Sequence, residues 1–214
     1  MRRCIDAIQV QDVAPAEIVC VDSGSTDGTL PMLLKHLDVA VIHIPPESFG
    51  YGSALNTGCQ AARSPIIVSL SQWSVPSTVG WLRELVEPLN DPTVGAVHSR
   101  QYPCATASEF ERQILFWRHS MAHQRLFGFL PGRNPEGYSN ASSAFRRSLW
   151  ERHPFRDDGP DFEDIEFARE ITADGWRITY APSSQVCHSH ARSLAWYLGR
   201  DMRHRIGWLE GVTA

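Results

Sequence analysis

Residues 17–30 read Glu-Ile-Val-Cys-Val-Asp-Ser-Gly-Ser-Thr-Asp-Gly-Thr-Leu, and the reading of this stretch decides the fold. Ile18, Val19, Cys20 and Val21 are too few for a helix and rich enough in β-branched residues for a buried parallel strand. The run ends on Asp22. Ser23, Gly24, Ser25 and Thr26 then turn the backbone where the carboxyl end of a strand opens into a crevice, the place where open α/β sheets bind ligands. Asp27-Gly28-Thr29 leads into Leu30, Met32, Leu33 and Leu34, which predicts a helix capped by Asp27 or Thr26. Taken alone, the stretch is equally an ordinary βα turn whose carboxylate caps its own loop.

Outward from it, β and α patterns alternate along the whole chain. Residues 1–14 carry apolar Cys4, Ile5, Ala7 and Ile8 at helical spacing before Pro15. A doubly wound sheet normally opens on a strand, so the chain is expected either to start from a misassigned codon or to lack one strand of its sheet. Strands are predicted at residues 39–44, 66–70, 94–97, 176–180 and 185–188, with helices at 30–37, 53–62 and 81–89 between them. Residues 49–58, Phe-Gly-Tyr-Gly-Ser-Ala-Leu-Asn-Thr-Gly, hold glycines that let something approach the backbone closely. Ser108 and Glu111 form a candidate capping box, and residues 128–137 form a loop-rich candidate flap. Asp161, Glu163 and Asp164 sit at the head of a helix whose apolar face is Ile165, Ala168 and Ile171.

With 214 residues the chain can build one sizeable core and reads as a single α/β domain. Its 43% hydrophobic and 21% charged content is that of a soluble globular protein. No apolar run is long enough to cross a bilayer and no signal-peptide core follows Met1, so a cytoplasmic location is expected. Five cysteines, scattered and never in a C-x-x-C pair, predict reduced thiols. A net charge of −4 provides no electrostatic footprint for nucleic acid.

Five segments in order, residues 21–29, 49–58, 139–147, the Glu163-Asp164 pair and His-Ser-His at 188–190, resemble family-two glycosyltransferases, especially rhamnosyltransferase-like members, across nearly the whole chain. The resemblance implies a GT-A fold with a mixed, mostly parallel sheet flanked by helices. It implies a nucleotide-binding part over about residues 1–100 and an acceptor and catalytic part over about 101–214. Transfer of a sugar from a UDP- or dTDP-sugar to a glycan or lipid-linked hydroxyl, with inversion, follows by the same analogy. Asp164, preceded by Glu163, would be the catalytic base. Asp22, Ser23, Ser25, Asp27, Gly52, Asn56, Gln72, Trp73 and Arg100 would line the donor, and Asn140, His188 and His190 would face the acceptor or the diphosphate.

The chemistry fits that division, because a sugar hydroxyl is too weak an acid to attack without a carboxylate to take its proton, and the leaving diphosphate gains charge. The ordinary alternative for Glu163 and Asp164 is stabilisation of their own helix terminus, worth roughly 0.3–1 kcal/mol each. Relatives carry an aspartate after the strand at 66–70 that holds Mg²⁺ or Mn²⁺. Here Trp73 stands in its place, so a metal site is impaired or replaced, with His188 the one weak candidate ligand and Arg100, His188 or Arg146 the candidate cations. A catalytically impaired or truncated relative, acting as a binding or interaction module, is the alternative reading. Residues 193–209 form an amphipathic helix flanked by arginines, either packed on the domain or resting on an anionic surface at the inner face of the cell membrane.

Overall fold

The computed structural model describes residues 1–118, 137–158 and 162–189. Helix α1 (Arg2–Gln9) buries Cys4 and Ile5 and stops six residues short of Pro15. The Gln11 side chain takes over there: its amide donates to the Ala7 carbonyl at 2.8 Å and to the Thr78 carbonyl at 3.0 Å, while its Oε1 accepts from the Leu82 N–H. Strand β1 (Ile18–Asp22) pairs in parallel with β2 (Val39–His43), Asp22 opposite His43. The helix between them, α2 (Thr29–Leu33), is shorter than its apolar pattern suggests, and Leu34 and Leu37 lie exposed beyond it. Gly28, with φ 82°, holds its N-cap position in place of Asp27 or Thr26, and Asp27 Oδ1 accepts instead from the Thr29 N–H at 3.1 Å.

Helix α3 (Tyr51–Ala61) leads to β3 (Ile66–Leu70), the short edge strand β4 (Ser74–Pro76) and α4 (Trp81–Val86). Strand β5 (Val94–Tyr102), helix α5 (Glu109–Arg118), strand β6 (Ser142–Arg146), helices α6 (Arg147–Arg152) and α7 (Glu163–Ala173), and strand β7 (Arg177–His188) complete the described elements. β3, β6, β5, β7 and β4 form one mixed sheet in that order. β5 and β7 run parallel, while β6 and β4 are antiparallel to their neighbours. Two strands expected at 176–180 and 185–188 are the single strand β7, whose register against β5 shifts between Ser99 and Arg100.

Among the described strands no backbone ladder joins β1 to β3, and the strands fall into two sheets. The join is made by a side chain. Glu17 accepts from the N–H groups of Arg63 at 2.6 Å and Ser64 at 3.1 Å, which together with the Arg63 guanidinium hold its carboxyl below the usual range. Two cores flank the larger sheet. Phe145, Phe155 and Phe167 meet edge-on or tilted at 5.0–5.6 Å between the sheet and α6–α7, and Trp81, Leu85, Val97 and Val186 pack under α4. Truncating a ring as buried as Phe167 costs about 3–5 kcal/mol.

The expectation of reduced thiols needs correction. Tyr102 pairs with Cys187, so the chain leaving β5 carries Cys104 alongside, and the two cysteines form a disulfide with Cα atoms 5.1 Å apart. A separation of 83 residues hides such a pair from any spacing rule. Cys4 and Cys59 are buried and Cys20 half-buried; burial pushes the first two thiols up to about 11 and about 12. Thiol titration of the denatured, unreduced protein is therefore expected to count three free cysteines, and reduction to lower the unfolding free energy by roughly 2–4 kcal/mol. Five thiols before reduction would show the bridge absent.

Candidate functional site

The site is set by lateral register across the sheet. Leu70 pairs with Ser142 and His98 with Ser143, so the carboxyl ends of β3 and β5 come level with the turn at Asn140 and Ala141. Ser71 donates its N–H to the Ala141 carbonyl at 3.1 Å, and Arg100, two positions past His98, pairs with Gln185 of β7. On the far side Ser74 pairs with His188, and Ser74 Oγ shares a 2.8 Å hydrogen bond with His188 Nδ1, both residues being buried.

The carboxylates of α7 are tied into this rim. Asp164 Oδ2 accepts from the Asn140 N–H at 3.3 Å and Oδ1 from the Ile165 N–H at 2.9 Å. Ser69 Oγ in turn donates to the Asn140 carbonyl at 2.9 Å. The Asn140 side-chain carbonyl accepts from Ser143 Oγ, and its amide is buried without a hydrogen bond of good geometry, yet it favours the charged form of Glu163. Against that, burial first, then the adjoining Asp164 charge, then that of Asp157 push the Glu163 carboxyl up to about 7. Asn140, Glu163, Asp164, His188 and the Ser71–Ser74 turn thus meet at one rim, whereas His190, Asp161, the flap at 128–136 and the 193–209 helix lie outside the described residues.

Other donor-site expectations meet bonds that already engage them. Asp22 is 3% exposed and caps its own loop, accepting from the N–H groups of Gly24 at 3.1 Å and Ser25 at 3.3 Å and from His43 Nδ1 at 3.2 Å. Burial raises its pKa, and the bonds from Ser25, His43 and Gly24 outweigh burial to hold it low. Ser23 is half-buried beside it, while Ser25, Asp27 and Gln72 are exposed. Gly24 adopts φ 85° with the Pro46 ring against it, where a side chain would be both strained and blocked. Asn56 makes three hydrogen bonds to two residues, donating to the Phe155 carbonyl at 2.8 Å and accepting from Trp150 Nε1 and the Phe155 N–H, which makes it a splice between α3, α6 and the chain that follows. Arg146 leaves the candidate cations: it lies at the other end of β6, opposite Ile66, and donates to the carbonyls of Val94, Leu89 and Asp91.

Three features went unread in the sequence. Asp157 caps α3, accepting from the N–H of Gly52 at 2.6 Å and of Ser53 at 2.8 Å. The glycines at 50 and 52 had signalled a close approach, and the group that approaches is this carboxylate, which a Cβ on Gly50 would strike. Glu111 is 1% exposed; its N–H donates to Ser108 Oγ as half of the expected capping box, while its carboxylate accepts from Ser189 Oγ at 2.7 Å, beside His188. The third is the Cys104–Cys187 bridge next to His188.

The described residues do not fit a divalent cation. Such an ion needs several converging oxygen ligands. The indole of Trp73 offers only an N–H, Ser74 Oγ is bound to His188, and both Asp164 oxygens take backbone N–H groups. Among the described residues no three His, Cys, Asp or Glu side chains converge.

A carboxyl titrating near 7 in the native protein and near 4.5 unfolded binds more protons when folded between those values, so it lowers stability as pH rises through them. Glu163→Gln is expected to remove that loss and to be more stable than the parent at pH 8 by on the order of 2 kcal/mol, with little difference at pH 4. Urea unfolding at the two pH values measures it; equal differences at both would show that Glu163 titrates normally.

Residues 1–153 match the family described as glycosyl transferase family 2. The chain is 26% identical over 191 residues to the O-antigen chain rhamnosyltransferase RfbN of Salmonella typhimurium, a match covering 87% of this chain and 61% of that protein. It is 27% identical over 189 residues to WbaN, an O-antigen chain rhamnosyltransferase of Salmonella anatum, covering 86% and 60%. It therefore spans about three-fifths of the length of these relatives. The mannosyltransferase PcManGT from Pyrobaculum calidifontis, solved with GDP-Man and Mn²⁺, is similar in structure with TM-score 0.71 and 25% identity, over 100% of this chain and 60% of that one. Glucosyl-3-phosphoglycerate synthase from Mycobacterium tuberculosis, solved with Mn²⁺, UDP-glucose and phosphoglyceric acid, shares the fold with TM-score 0.60 and 21% identity, over 91% and 68%. With the family pattern running through 153 of its 214 residues, and with the fold those structures share, this chain belongs to glycosyl transferase family 2 and has the GT-A fold.

Proposed function

We propose that the chain moves a sugar from a nucleotide-diphosphate-sugar, UDP- or dTDP-linked, to a hydroxyl of a glycan or lipid-linked saccharide, with inversion at the anomeric carbon. One observation carries the reading: in a family-two chain, the helix-start carboxylate Asp164, beside Glu163, is tied through the Asn140 N–H to the rim formed by the carboxyl ends of β3 and β5. In this scheme Asp164 takes the proton of the acceptor hydroxyl as its oxygen bonds to the anomeric carbon. The bond from that carbon to the nucleoside diphosphate breaks, and its electron pair leaves with the diphosphate. A carboxylate held by two backbone N–H groups keeps its direction during the step, which limits the geometry it must otherwise search. Glu163, with its raised pKa, tunes the charge of the pair and sets the acid side of the pH profile.

The elements up to residue 100 would hold the donor and those after it the acceptor. Among the described residues no helix is long and apolar enough to cross a membrane; a cytoplasmic place, with contact at the membrane face through residues 193–209, belongs to the same proposal. A second reading, a donor-impaired relative acting as a binding module, is favoured by the break between β1 and β3, because the donor crevice of an open α/β sheet depends on neighbouring strand ends.

Asp164→Asn is expected to lower transfer at least ~100-fold, the usual range for losing a general base, with nucleotide affinity changed less than ~3-fold. Single-turnover transfer assays with calorimetric titration of the donor measure both. Unchanged transfer would remove Asp164 from the mechanism, and no transfer by the parent from any nucleotide-sugar would favour the second reading.

A further inference from the structure

Three consecutive residues at the end of β7 are each fastened to a different part of the fold. Cys187 is bridged to Cys104, which follows β5; His188 shares its Nδ1 hydrogen bond with Ser74 Oγ of β4; and Ser189 Oγ donates to the buried carboxylate of Glu111 on α5 at 2.7 Å. The ladder between β5 and β7 ends where Tyr102 pairs with Cys187. Beyond that pair the link between the two chains passes to side chains. Cys104 also opens the turn into α5: its carbonyl accepts from the Ala107 N–H at 3.0 Å, and the Arg112 guanidinium donates to the Ala105 carbonyl at 2.8 Å. The bridge therefore ties the strand end that carries His188 to the start of the helix that carries Glu111.

Both bridged cysteines are half-buried, whereas Cys4 and Cys59 are buried, so a small molecule can reach the bridge. The two stand 83 positions apart and close a loop that contains β6, α6 and α7. Opening it returns conformational freedom to both attached ends. In a reducing compartment, such as the cytoplasmic place proposed above, a disulfide is opened and re-formed rather than permanent.

We propose that the Cys104–Cys187 bridge is a thiol-responsive lock on this rim. Closed, it keeps His188 against Ser74 and Ser189 against Glu111; opened by a small-molecule thiol, it loosens both contacts and weakens the hold on a nucleoside diphosphate. In the opening step the thiolate attacks one bridge sulfur, the S–S bond breaks, and the other cysteine leaves as a thiolate and takes up a proton. A second thiol then displaces the first from the mixed disulfide, so two thiols leave as one small-molecule disulfide and the protein becomes a dithiol; a small-molecule disulfide reverses both steps. The effect on nucleotide binding rests on the nucleotide-sugar reading above, while the lock itself stands on the bonds at the end of β7.

The folded full chain, incubated in reduced glutathione and then returned to oxidised glutathione, tests the chemistry by thiol counting after an acid quench into denaturant. Five thiols are expected in the first state and three in the second, both states keeping the parent's circular dichroism. Hydrogen exchange read by mass spectrometry locates the loosening: at short labelling times reduction is expected to speed exchange about 10-fold or more in residues 102–113 and 185–189, with 66–70 and 142–146 unchanged. A chain carrying both Cys104→Ser and Cys187→Ser should exchange like the reduced parent and ignore added thiol. Calorimetric titration with UDP, dTDP and GDP, each in Mn²⁺ and in EDTA, should give dissociation constants about 3-fold or more weaker for the reduced form, because a loosened site must be ordered on binding. A bridge that opens only in denaturant, exchange that does not change or rises evenly along the chain, or equal nucleotide affinity in the two forms overturns the lock. Failure of all three nucleotides with both forms overturns the nucleotide-sugar reading instead, and the exchange pattern then decides the lock alone.

Discussion

The antiparallel seating of β6 between β3 and β5 is the constraint on which the site depends. Its register sets Leu70 opposite Ser142 and His98 opposite Ser143, and the strand ends on either side then share one turn, Asn140–Ala141. Because side chains alternate faces along a strand, a slip of one residue would turn Ser143 and Phe145 to the wrong side and lose both the Asn140 bond and the aromatic core. Ser142 and Ser143 are fully buried and are satisfied there, Ser142 Oγ accepting from Trp81 Nε1 and Ser143 Oγ donating to Asn140. The run Ser-Asn-Ala-Ser-Ser-Ala is small and polar so that a buried strand and a turn full of hydrogen bonds can occupy the same place.

Carboxylates organise much of what surrounds that strand, and they do so by accepting backbone N–H groups. Asp22 closes its own loop, Glu17 ties β1 to the start of β3, Asp157 caps α3, and Asp164 holds the Asn140 turn. A carboxylate in this role needs no cation, since several N–H dipoles stabilise the charge. Glu163 is the contrast: burial and two like charges outweigh its own backbone N–H and the Asn140 amide, and its charged form is disfavoured. One helix start therefore carries a carboxylate oriented by N–H groups next to one whose proton is loosely held near neutrality, which is the separation of roles that acid–base chemistry requires.

The break between β1 and β3 and the indole at the end of β3 concern the same half of the molecule. The larger sheet, β3, β6, β5, β7 and β4, has continuous hydrogen bonding and two packed cores. The β1–β2 pair is joined to it through Glu17 and through α3 lying over Val21, and packs its own small core of Ile5, Met32, Leu33 and Val39.

Local pattern was enough for the strands and helices, since periodicity of 2 or 3.6 and the turn residues are properties of neighbouring positions. It was enough for the family as well, because five spaced motifs survive in order, and for Glu163 and Asp164 at a helix start. Boundaries failed at helix ends: Gln11, bonded to Ala7 and to the distant Thr78, ended α1 early, and Gly28 in its left-handed conformation displaced its neighbour Asp27 as the cap of α2. What approaches Gly50 and Gly52, what saturates Asn56, where Arg146 points and which cysteines meet are contacts between residues tens of positions apart. By itself the sequence determined the class of fold, the family and the residue types available at the rim. Tertiary structure alone decided which of those residues converge, since strand register and burial, not spacing along the chain, set the distances and dielectric that fix their bonding and their charge.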